Sequence, residues 1–140
     1  MEQCLSAFYA KIAAIPDVNV RRNSGKEVVS FPSLEMFDGG QKAHNDTTQN
    51  KVFDLRVDVE CWVQADDADI GTAKGALYAK LVTAVLADVS LGNLAIDVLE
   101  SDMLDPEIDR RKGAKPHACF SVSFIIVYST AGDNPYNIGY

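Results

Sequence analysis

Residues 53–64 constrain the fold more than any other stretch of this chain. Phe53, Leu55, Val57, Val59, Cys61 and Val63 alternate without a break with Asp54, Arg56, Asp58, Glu60, Trp62 and Gln64. A period of two places all the first set on one side of an extended strand and all the second on the other, so one face belongs to a core and one to a polar surface. Such a strand is not stable alone; it needs paired neighbours and a layer over its apolar face. Residues 117–128 offer a neighbour, apolar at Ala118, Phe120, Val122, Phe124, Ile126 and Tyr128 and half polar at Cys119, Ser121 and Ser123. Ile125 and Val127 make its second half apolar on both faces, which places it centrally in the sheet or with its far end covered.

Two amphipathic segments supply the covering layer. Leu5, Phe8, Ile12 and Ile15 recur at helical steps, and Pro16-Asp17 ends that run. Asp66-Asp67-Ala68-Asp69 puts capping side chains and negative charge where a helix dipole favours them, and the helix that follows extends to about Asp88. Its Ala73, Leu77, Leu81, Ala84 and Val85 share a face. Val18 and Val20 offer a short extended start, but turn chemistry at Asn23-Ser24-Gly25 moves the first expected strand to residues 28–31. Pro32 interrupts it and residues 33–37 resume it, with Leu34 and Met36 opposite to Glu35. A further strand is expected over 94–100, after the turn Leu91-Gly92-Asn93. The sum is one α+β domain over residues 1–140, a mainly antiparallel sheet of four to five strands with two helices packed on one face. Residues 38–50 and 101–116 lack apolar periodicity, read as long surface loops, and are the expected partner contacts.

With 47% hydrophobic residues in 140, the chain can bury a core without disulfides or metal. Cys4, Cys61 and Cys119 are odd in number, widely separated and set inside helices or strands, as expected of small buried hydrophobes. No apolar run is long enough for a bilayer and the N-terminus lacks signal-peptide features, so the expectation is a soluble protein made in the cytoplasm. A net charge of −7 argues against wrapping nucleic acid, because counterion release requires clustered Lys and Arg. The same charge suits plain solubility or a channel wall that repels a passing duplex.

Catalytic constellations are weak. Asp54, Asp58 and Glu60 put carboxylates on one strand face, but Arg56 stands among them, as in an ordinary charged outward face. His44 and His117 have no metal-ligand spacing, and Cys119 sits in mid-strand without an activating elbow. Gly71 to Gly75 lacks the spacing of a phosphate loop. Neither an enzyme, a metal nor a cofactor is expected. Arg110, Arg111, Lys112 and Lys115 follow Asp102, Asp105, Glu107 and Asp109 closely, which reads either as local charge pairing in a solvated loop or as a docking tongue.

Two segments, and the order of the elements around them, carry a family resemblance. These are Asp88-Val89-Ser90-Leu91-Gly92-Asn93-Leu94 and the ending Tyr128-Ser129-Thr130-Ala131-Gly132-Asp133-Asn134-Pro135-Tyr136. Over most of its length the chain resembles the tail terminator (tail completion) family of long-tailed bacteriophages, although Asn134 interrupts the Gly-Asp-Pro that related chains often have. The resemblance implies a virion protein that assembles as a hexameric ring on the head-proximal end of the tail tube. Such a ring stops tube polymerisation, meets the head-tail connector with its other face, and passes DNA non-specifically through its lumen. Expected contacts to subunits or tube are Lys42, His44, Asn45, Arg110, Arg111, Lys112, Lys115, Asp133 and Tyr136, with Asp54, Asp58 and Glu60 as candidates to face the lumen. A head completion or stopper protein, and a monomeric α+β domain binding a small ligand, are the competing readings.

Overall fold

The computed structural model describes residues 1–24, 30–46, 50–66, 68–92, 94–109 and 117–131. In chain order the elements are α1 (Glu2–Ala13), β1 (Asn19–Arg22), β2 (Ser33–Asp46), β3 (Asn50–Gln64), α2 (Ile70–Leu86), β4 (Asp97–Asp109) and β5 (His117–Ala131). The strands form one mixed five-stranded sheet in the order β1-β2-β3-β5-β4, parallel only between β1 and β2. The alternating strand lies at its centre. β3 pairs with β5 from Asn50↔Ala131 to Gln64↔His117 with no register shift.

Both helices cover one face. Cys4, Leu5, Phe8 and Ile12 of α1 and Ile70, Leu77, Leu81 and Val85 of α2 join Leu55, Val57, Val59, Cys61 and Val63 of β3 in a single core. Phe8 meets Phe124 of β5 with ring centroids 5.5 Å apart. Burial of each large side chain here contributes roughly 1.5–3 kcal/mol, which is why the helical and strand periodicities predict the same layer.

Three expectations need correction. The first strand is not at 28–31: β1 lies at Asn19–Arg22, β2 starts at Ser33, and Ser30, Phe31 and Pro32 form a bend, while residues 28 and 29 are outside the described set. Pro32 has no N–H to give a ladder, but its carbonyl accepts from Asn19 N at 3.1 Å and so opens the parallel pairing. At the other end Asn23 turns the chain at φ 50, donates its N–H to Met36 O at 2.8 Å and accepts from Asp38 N at 3.1 Å.

The stretch 38–50 is not one long loop: β2 runs on to Asp46 and β3 begins at Asn50, and residues 47–49 are outside the described set. Bulges between Asp38 and Gln41 and between Ala43 and Asn45 each shift the register by one residue, and a one-residue shift breaks a period of two. Periodicity therefore disappears from the sequence while the ladder persists. Gly39 lies where the strands press together: a Cβ there would stand 2.6 Å from the Arg56 carbonyl oxygen.

Residues 101–116 are likewise strand as far as Asp109, and β4 starts at Asp97 instead of Leu94. Shifts between Glu100 and Asp102 and between Leu104 and Glu107 break its pattern, and Pro106 is tolerated because β4 is an edge strand. Residues 110–116 are outside the described set.

Candidate functional site

Among the described residues, no helix lies on the polar face of the sheet. Asp54, Asp58 and Glu60 lie on it, half-buried, with the more exposed Arg56 among them. Arg56 Nε donates to Asp58 Oδ1 at 3.0 Å and its Nη2 to Ser123 Oγ at 3.2 Å, and Ser123 Oγ donates to the same Asp58 oxygen at 2.6 Å. Asp58 is thus an ion-paired, oriented carboxylate. Cys119 Sγ donates to Glu60 Oε1 at 3.7 Å. Across β2, Glu35 is only 3% exposed and pairs with Arg21 at 2.5 Å. That buried pair is the feature of this face that alternation alone could not reveal.

At the end of the same face His117 sits between Phe31 and Trp62, with ring centroids 5.9 and 6.1 Å away. Ser33 and Trp62 stand opposite each other, and Ser33 Oγ and Trp62 Nε1 are buried without a hydrogen-bond partner among the described residues.

The expected contact residues separate into two groups. Lys42, His44 and Asn45 lie on β2 in a three-stranded arm that runs past the apolar core, which ends among the described residues at Phe53 on β3 and Tyr128 on β5. Register places the exposed Lys42 opposite Asp54, and Asn45 opposite Val52. The root of the arm is pinned by Tyr128, whose hydroxyl donates to Gln41 Oε1 and whose ring stacks on Phe53 at 5.5 Å. Arg110, Arg111, Lys112, Lys115, Asp133 and Tyr136 lie outside the described residues.

The turn after α2 is built around Asp88. Its carboxylate accepts from Ser90 Oγ at 2.6 Å, Ser90 N at 3.1 Å and Gly92 N at 3.0 Å, and the Ser90 hydroxyl above all holds its pKa below the ordinary carboxylate value. Leu91 at φ 50 and Gly92 at φ 68 both adopt the left-handed conformation, which a bulky Leu tolerates here because its side chain is buried. Lys11 of α1 donates to Asp88 O at 2.5 Å and ties the two helices together. Between them lies an open apolar groove of about 660 Å³, lined in part by Lys11, Ala14, Ile15, Ala79, Thr83 and Ala84.

No group of His, Cys, Asp and Glu among the described residues is arranged to hold a metal, and none of their helices is long and apolar enough to cross a membrane. The surfaces are a polar face, a projecting arm and an apolar groove on a two-layer α+β scaffold. No family model matches the chain, and no curated protein matches its sequence. Among solved structures it is similar to a chain from the virion of a native gene transfer agent particle, with a TM-score of 0.41 and 17% identity, covering 94% of this chain and 91% of that one.

Proposed function

We propose that this protein is a phage-type structural subunit acting as a tail terminator. In this reading it forms a hexameric ring on the tail tube, halts polymerisation and presents its other face to the head-tail connector, without catalysis. The observation that carries the reading is the three-stranded arm. Among the described residues its paired strands extend past the apolar core of their own chain, and strands that reach beyond a core gain stability when a partner packs against them. The resemblance at residues 88–94, now a turn organised by Asp88, supports the same reading.

Asp54, Asp58 and Glu60 then face the lumen or a neighbour as a face whose charge Arg56 and Lys42 temper. The test shortens the β2–β3 hairpin by removing residues 43–52 and joining its ends through a two-residue turn. The expected product is a folded protein that leaves tails uncapped and overlong; tails of normal length would overturn the proposal. The apolar groove between the helices supports a second reading, a monomeric domain binding a small apolar ligand. A purified protein that stays monomeric and ignores pre-formed tubes favours that alternative.

A further inference from the structure

Where β2 leaves the body of the sheet, three elements meet on one guanidinium. β1 ends at Arg22, paired with Met36, and Asp38 is the last position of β2 before the register shifts toward Gln41. Arg22 Nε and Nη2 donate to Oδ1 and Oδ2 of Asp38 at 3.3 and 3.0 Å. Its Nη1 and Nη2 donate to Oε1 and Oε2 of Glu2, in the first turn of α1, at 2.9 and 3.0 Å. One planar group thus grips each carboxylate through both of its oxygens, and Asp38 N donates in addition to Asn23 Oδ1 at 3.1 Å.

Stability does not account for so much geometry. The side chains of Arg22, Asp38 and Glu2 are 22%, 29% and 58% exposed, and ion pairs in contact with water contribute little to folding. What a bidentate fork supplies is direction. The arm needs it: past Asp38 the outer edge of β2 pairs with no strand among the described residues, and the apolar core ends at Phe53 and Tyr128. Gln41, Tyr128 and Phe53 join the three strands of the arm to one another. Arg22 joins them to a helix.

We infer that Arg22 is a positioning residue: through Asp38 it sets the direction of the arm against α1, so that the arm meets its partner already aimed. The inference rests on the tail-terminator reading above and names the contact that pre-organises its arm. Lysine at position 22 keeps the charge but not the fork, since one ammonium cannot grip two carboxylates through both oxygens of each. A chain so altered folds as before while its arm samples a spread of directions. Its apparent affinity for the partner then falls in proportion to the fraction correctly aimed.

Spin labels at Lys42→Cys and Thr72→Cys, both exposed positions, report the distance from arm to α2 in a full chain that also carries Cys119→Ser, so that its half-buried thiol takes no label. The expected result is a narrow distance distribution in the parent and a broadened one in Arg22→Lys, with melting temperatures within about 2 °C of each other. Asp38→Asn should broaden it to the same extent and the double variant no further, because both changes remove the same contact. Binding to pre-formed tail tubes should fall about tenfold in either variant. An unchanged distribution in Arg22→Lys overturns the inference and leaves the tail-terminator reading standing. A broadened distribution with parental tube binding overturns it too, since direction then does not matter to the partner. If the parent itself ignores tubes, both fall.

Discussion

The two faces of the sheet are written by alternate residues of the same strands, yet they answer to different physics. On the helix-covered face every side chain of β3 from Leu55 to Val63 is at most 3% exposed, and what holds it is apolar area. On the polar face the neighbouring positions are joined by ion pairs and hydrogen bonds, from Arg21–Glu35 to Arg56–Asp58–Ser123. The first face settles which fold forms. The second is comparatively free to be shaped by partners, because few of its substitutions open a cavity.

The sharpest contrast is between the thiols of Cys61 and Cys119, one on each face. Burial pushes the Cys61 thiol well above its ordinary pKa, and Cys4 is raised by burial as well. With an aromatic disulfide reagent, Cys119 should react at least about a hundredfold faster than the other two, which wait for unfolding. Equal rates would mean that the core face opens as easily as the polar one.

Next comes truncation. Phe124→Ala should cost about 3–5 kcal/mol in urea unfolding, whereas its neighbour Ile125→Ala, half-buried on the polar face, should cost less than half as much. Similar values would break the distinction between the faces. Glu35→Ala is the exception that sharpens it. Removing that carboxylate leaves Arg21, 20% exposed, without its short ion-pair partner, and the expected loss is about 3 kcal/mol even though no apolar core is touched.

The smallest effect is the response to acid. Glu2 is held below its ordinary pKa chiefly by the hydrogen bonds from Arg22, and Asp88 chiefly by the Ser90 hydroxyl. A depressed carboxylate stabilises the fold above its unfolded pKa, near about 4. That contribution is lost as pH falls through the lower folded value. Glu2→Gln and Asp88→Asn should each flatten the decline of melting temperature below about pH 4; an unchanged slope would show that neither interaction persists in solution.

What could be read from the sequence follows the same division. Leu5, Phe8, Ile12, Leu77 and Leu81, with the alternation of β3, announced the α+β class and the side on which both helices lie, because burial imposes a period. β2 beyond Asp38 and β4 beyond Glu100 were hidden because bulges erased that period while the backbone ladder continued. β1 was missed for a different reason: four residues are too few to show a pattern, and its place depends on Pro32 and Asn23 closing the ladder at each end. The Arg21–Glu35 pair had no local signal at all, since its partners are brought together only by the parallel register of β1 and β2.

At Gly39 the main chain of β2 lies against the Arg56 carbonyl so closely that no side-chain carbon fits between them. The root of the arm is therefore held by backbone against backbone at Gly39 and by Tyr128 with Gln41 and Phe53. The exposed Lys42 takes no part in that root and can be exchanged while the limb still reaches the same point in space. Reach and surface chemistry are separately heritable in this chain.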